Sequence, residues 1–110
     1  MEIDKSKILK RFPLKEKWKK DGWVPFPKKL LFDPNISKSA LVVFMVLHAH
    51  LFRGTNYVYP SISTIAKESK QSIRTVHYAI RELKKSGYLK VESGKETGKS
   101  NKYFLVNLAL

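Results

Sequence analysis

The chain has 110 residues, with 22 Lys/Arg against 9 Asp/Glu and a formal charge of +13. That length holds one small domain and one core, and 43% hydrophobic with 28% charged residues is the composition of a folded chain rather than a disordered one. The positive excess favours polyanions through field and counterion release, while the absence of cysteine excludes disulfides and thiolate metal sites.

The charge is uneven. Residues 1–30 hold ten Lys/Arg against four acids (+6), residues 31–60 two against one (+1), and residues 61–110 ten against four (+6). The opening Met-Glu-Ile-Asp has no apolar region behind a basic start, so it does not read as a secretory signal. The longest apolar run, Ala40 to Leu47, is far below the ~20 residues a bilayer span needs. A cytoplasmic protein with no membrane partner is expected.

Residues 1–24 read as a basic N-terminal arm and residues 25–110 as the folded domain. In the arm, Lys5, Lys7, Lys10, Arg11, Lys15, Lys17, Lys19 and Lys20 surround Ile8, Leu9, Phe12, Leu14 and Trp18, and Pro13 interrupts any long helix. Two readings stand open: an arm along DNA phosphates or in a minor groove, and a partly ordered tail that packs Phe12 or Trp18 and solvates its lysines. Gly22-Trp-Val-Pro-Phe-Pro27 is extended by its prolines, with Trp23 and Phe26 as anchors to the core. Lys28-Lys-Leu-Leu-Phe32 reads as a short helical turn before Asp33-Pro34.

Ser37 is the N-cap of a helix running to about Phe52. From Ala40 to Leu47 it is apolar on every side, so it needs cover all round. One face belongs to the core, and the other calls for the N-terminal segment or a second subunit, which makes a homodimer through Ala40–Leu47 an expectation. Arg53-Gly-Thr-Asn56 reads as a turn, and Tyr57-Val58-Tyr59 as a short strand ending at Pro60.

A shorter helix capped at Ser61 follows, with Ile62, Ile65 and Ala66 facing inward, and a tight turn around Lys70 and Gln71 leads to Ser72. Ser72 caps a longer helix that Gly87 ends, with Lys84 and Lys85 in its last turn at the negative end of the dipole. Ile73, Val76, Ile80 and Leu83 form its apolar stripe. The opposite face carries Arg74, Tyr78, Arg81 and Lys85, with Thr75 and His77 on the flanks. These side chains can hydrogen-bond base edges or phosphates in a major groove. The plainer reading of this helix alone is a solvated basic face. Short helix, tight turn and longer helix together make the helix-turn-helix arrangement.

Tyr88-Leu-Lys-Val-Glu92 alternates at period two, as does Lys102-Tyr-Phe-Leu-Val-Asn107 less cleanly. The intervening Ser93–Asn101 is rich in turn formers and lysine. The pair forms a β-hairpin wing whose Lys95, Lys99 and Lys102 either reach a flanking phosphate or stay solvated at a mobile tip.

The order helix, short strand, helix, recognition helix, two-stranded wing is the winged helix-turn-helix fold: α+β, mainly α, with a three-helix core, a β-hairpin wing and a basic N-terminal extension. The run Tyr57-Val-Tyr-Pro-Ser-Ile-Ser-Thr-Ile-Ala-Lys67, with Ser72-Ile-Arg-Thr-Val to Gly87-Tyr-Leu, resembles the winged-helix domains of plasmid and phage replication initiator and DnaD-like proteins. Phe26-Pro-Lys-Lys-Leu-Leu-Phe-Asp-Pro-Asn-Ile-Ser37 is similar to their approach to the first helix. The resemblance covers about residues 25–107 and implies duplex DNA binding, with Ser72, Arg74, Thr75, His77, Tyr78 and Arg81 at the groove. Lys67, Lys70, Lys84 and Lys85 would hold phosphates, as would Lys95, Lys99 and Lys102 of the wing. It also leaves a transcriptional repressor, dimeric on operator DNA, as an alternative role.

Other classes fit less well. His48 and His50 are about 200° apart on a helix, so they cannot share a metal there, and both are expected at the helix edge, satisfied by backbone or water. The sequence has no phosphate-binding glycine loop, no Gly-x-Ser-x-Gly and no His-Glu-x-x-His. Neither an enzyme, a metal, a cofactor nor a small-molecule ligand is expected. A winged-helix protein-interaction module predicts a neutral or acidic recognition face, against Arg74, Arg81, Lys84 and Lys85. Single-strand or RNA binding predicts aromatics exposed on a sheet. Tyr103 and Phe104 alternate faces, so at most one of that pair could serve.

Overall fold

A computed structural model describes residues 27–51, 56–94 and 98–106. The basic arm, with Trp23 and Phe26, the turn at 53–55, Phe52, Lys95 and Asn107 lie outside the described residues.

Among the described residues, four helices and a hairpin follow one another: α1 (Lys28–Leu31), α2 (Lys38–Ala49), α3 (Ile62–Ser69), α4 (Ile73–Lys85), β1 (Leu89–Glu92) and β2 (Lys102–Leu105). Three of these helices start as the sequence implies. Each of Ser37, Ser61 and Ser72 accepts, through its hydroxyl, from the backbone amide three residues on: Ala40, Thr64 and Thr75. Helix α2 is shorter than expected. It stops at Ala49 because the final turn tightens to three-residue bonds, His50 N–H to the Leu47 carbonyl and Leu51 N–H to that of His48.

Helix α3 ends on Lys70, which takes the left-handed conformation (φ 59°), and Gln71 N–H reaches back to the Ala66 carbonyl at 3.0 Å. This is the turn that aims α4. At the far end Gly87 has φ 83°. Its N–H meets the Lys84 carbonyl, and Tyr88 N–H meets the Leu83 carbonyl, which together make a Schellman motif. The chain therefore leaves α4 directly into β1.

The core joins Leu30, Ile36, Ala40, Val43, Phe44 and Leu47 to Val58, Ile65, Ala66, Val76, Ala79, Ile80 and Leu83, and to Tyr88, Leu89, Tyr103 and Leu105 of the hairpin. Ile62 packs against it from the edge. The buried stripe of α4 is Val76, Ala79, Ile80 and Leu83, and Ile73 is 52% exposed. With Ala79 in the stripe its centre shifts, and Ile73 falls about 70° away at the helix start. Helix α2 likewise buries one face only: Val42 and Met45 are 38% and 49% exposed, so the all-round cover its apolar run calls for is incomplete among the described residues.

Strands β1 and β2 are antiparallel, with Leu89 opposite Leu105 and Val91 opposite Tyr103. The expected strand around Val58 is a single bridge, with Val58 and Tyr103 exchanging two hydrogen bonds of 2.9 and 2.7 Å. The result is the winged helix-turn-helix arrangement of the α+β class.

The two histidines of α2 separate. His48 is buried, edge-on to Phe44 with ring centroids 6.2 Å apart, and among the described residues neither ring nitrogen has a hydrogen-bond partner. That corrects the expectation of a satisfied edge position: its helix turn points into the core, and burial pushes its pKa below the ordinary imidazole value. His50, at the C-cap, sits with Nε2 2.6 Å from Glu68 Oε1 and ties α2 to α3.

Candidate nucleic-acid interface

Two polar clamps fix α4 against α2. Glu82 Oε2 accepts from the Ser37 hydroxyl at 2.7 Å and from the Ser37 backbone N–H at 3.2 Å. A carboxylate from α4 thus sits at the positive N-terminal end of α2. Gln71 Nε2 donates to the Ser39 carbonyl at 3.3 Å, holding the turn to the same end. On the opposite flank, Asp33 accepts from Asn35 N–H at 2.9 Å and from the Tyr88 hydroxyl at 2.7 Å. The Asn35 bond and then the Tyr88 bond hold the Asp33 carboxyl below its ordinary range. Burial and this same carboxylate push the Tyr88 phenol up to about 12.

So anchored, α4 turns its polar side outward. Arg74, His77, Tyr78, Arg81, Lys84 and Lys85 are exposed. Arg74, Tyr78 and Arg81 are four and three residues apart, hence stacked along one face. The guanidinium carbons of Arg74 and Arg81 each lie 5.7 Å from the Tyr78 ring centroid, and Arg74 Nη2 donates to the Tyr78 hydroxyl at 3.3 Å. The phenol restrains two forks that would otherwise rotate freely. The sequence picked out these three side chains singly, and their spacing was the signal for a shared column.

Ser72 is exposed, but its hydroxyl is engaged locally. It accepts from Thr75 N–H at 3.1 Å and donates to Thr75 Oγ1 at 2.8 Å, so it builds the helix start as well as facing outward. Thr75 is half-buried. Lys67 and Lys70 are exposed on α3 and its turn.

Lys99 is exposed at the wing, and a shallow hollow shared by Lys99, Ser100 and Asn101 with Pro60, Ser61 and Ile62 brings it beside the start of α3. The hairpin end is held by Lys99 N–H to the Gly94 carbonyl at 3.0 Å and by Gly94 N–H to Asn101 Oδ1 at 3.1 Å. A Cβ on Gly94 would fall on the carbonyl oxygens of Lys99 and Ser100, so that position admits only glycine. Lys102 opens the second strand, as the alternation implies. It is the first residue of β2, and its ammonium sits 4.9 Å over the Tyr57 ring.

Among the described residues no group of three His, Cys, Asp or Glu is placed to hold a metal, and no helix is long and apolar enough to cross a membrane. Glu82 and Tyr57 are the residues that sequence reasoning passed over. Glu82 had no local signal, since its partner is 45 residues away.

Residues 35–89, half of the chain, match the family model described as a helix-turn-helix domain, from the loop before α2 to the first residue of β1. No curated protein and no solved structure gives a significant match.

Proposed function

We propose, from the premise that this chain belongs to the helix-turn-helix domain family, that it binds duplex DNA sequence-specifically by laying α4 in a major groove. The observation that carries the reading is the Arg74–Tyr78–Arg81 column on the open face of α4. An arginine fork held by an aromatic ring meets guanine O6 and N7 with less ordering cost than a free one, and Arg–guanine is the commonest specific contact. Thr75 and His77 flank the column and serve adjacent bases.

Lys67, Lys70, Lys84 and Lys85 pair with phosphates and set the register. Lys99, and Lys95 beside it in sequence, hold the neighbouring backbone from the wing. Binding is therefore strongly salt-dependent. The protein works in the cytoplasm, where its DNA is.

Of the biological roles, origin binding of the plasmid or phage initiator type is favoured by the resemblance of residues 25–107 to those winged-helix domains. The second reading, a repressor acting as a homodimer, is favoured by the uncovered Val42 and Met45 on α2, an apolar stripe that a second copy would bury.

Selection from a random duplex library at roughly physiological salt, followed by sequencing, tests the reading. An enriched motif supports it, in direct repeats for an initiator or as a palindrome for a dimeric repressor. Recovery of no motif, with retention that vanishes as salt rises, refutes it.

A further inference from the structure

The solvent side of the small sheet carries three aromatic rings that the duplex reading leaves unused. Its inner side is complete without them: Val58, Leu89, Tyr103 and Leu105 are fully buried there, against the helices. Side chains alternate across a pleated strand. The antiparallel bridge between Val58 and Tyr103 therefore turns Tyr57 and Tyr59 to the other face, beside Phe104 and Lys102.

The rings touch one another. Tyr57 and Phe104 have centroids 5.7 Å apart, Tyr57 and Tyr59 6.1 Å, both tilted by under 50°. Tyr59 is 57% exposed, and the Lys102 ammonium lies 4.9 Å from the Tyr57 centroid. A solvated sheet face is ordinarily polar. Here Tyr59 is exposed, Tyr57 and Phe104 are half-buried beside it, and a lysine ammonium lies against the cluster.

We infer that this face is a second nucleic-acid site, which binds the unpaired bases of single-stranded DNA by stacking on Tyr59, Phe104 and Tyr57, with Lys102 on the adjoining phosphate. Exposed rings plus lysine are the two parts single-strand binding uses, and stacking accepts any base because every base has a π face. Stacking on a side chain needs a base face that is free, which bases inside a paired helix do not offer, so the face suits unpaired bases. The chain's charge of +13 and the Lys102 ammonium beside the rings favour a polyanion as the occupant of this face. The choice of DNA over RNA rests on the duplex reading above.

Sequence alone weighed only Tyr103 and Phe104 for this role and found one usable ring. The bridge at Val58 supplies the other two, from a segment 45 residues earlier in the chain.

The test uses the full chain and fluorescence anisotropy with three labelled probes of equal length: oligothymidylate, an abasic deoxyribose-phosphate strand, and oligouridylate. Wild type binds oligothymidylate more tightly than the abasic strand. Tyr59→Ala, at an exposed position, weakens oligothymidylate binding about 5- to 150-fold, the span of one lost stacking contact. Tyr59→Phe restores it, and neither change alters duplex affinity. Equal binding of oligothymidylate by Tyr59→Ala and wild type overturns the inference. So does abasic binding as tight as oligothymidylate, which means charge alone, and so does a preference for oligouridylate. Failure of the duplex reading is read separately, as an Arg81→Ala protein with unchanged duplex affinity.

Discussion

Glu82 is the test of how the recognition helix is held. Its carboxylate accepts two hydrogen bonds from Ser37, at 2.7 and 3.2 Å, at the N-terminus of α2. Hydrogen bonds to a charged group contribute about 1.5–3 kcal/mol when buried. Ser37 is exposed and Glu82 half-buried, so solvent screening brings the pair down to about 1–2 kcal/mol in total. Ser37 keeps its own cap on Ala40 N–H in the variant, at 3.2 Å, so that contribution is not lost.

Glu82→Ala should therefore lower Tm by roughly 5–12 °C for a domain of this size, and Glu82→Gln, which keeps an acceptor without charge, by less. Thermal unfolding by circular dichroism at low and high salt reads both. The charge-dependent part shrinks with salt. A Glu82→Ala protein that melts within a degree or so of wild type would refute the view that this carboxylate joins α4 to α2.

Lys70 holds a left-handed backbone that costs a side-chain-bearing residue about 1–2 kcal/mol; Lys70→Gly should raise Tm while weakening all duplexes alike, read by melting and by a salt titration. The depressed Asp33 carboxyl adds stability above its ordinary pKa of 3.8 that is lost as pH falls through the lower folded value. Wild type should thus lose Tm more steeply than Asp33→Asn in a melting series below that pH, and parallel curves would contradict it. Arg81→Ala should cost on the order of 1–3 kcal/mol on the preferred duplex and relax selectivity at one base pair, measured by competition with single-base variants of the site. Lys99→Ala should lower the salt slope by roughly one unit with little change in selectivity.

What the sequence made legible was local. Serine three residues before a free amide marked the starts of α2, α3 and α4, Gly87 marked the end of α4, and alternation marked both strands of the wing. Each signal is set by neighbours within a turn or two of chain. The exposed face of α4 followed from helical spacing, which is why Arg74, Tyr78 and Arg81 were found, although their mutual contacts were not.

What escaped was non-local or marginal. Nothing near Glu82 in sequence says that Ser37 is its partner, and nothing near Tyr57 says that Phe104 lies beside it. Ile73 fits the apolar spacing and is still exposed, because Ala79 moved the centre of the stripe. His48 was placed at an edge because a histidine seldom enters a core unpaired. On α2 the phase of Phe44 and Leu47 carries it inside.

The most direct measurement is an amide chemical-shift titration of isotopically labelled protein with the duplex recovered by selection. With α4 in the major groove, the largest shifts fall along α4 from Arg74 to Lys85 and at Lys99 of the wing, with the rest of the domain nearly still. Shifts that leave α4 silent and gather on another face would contradict it.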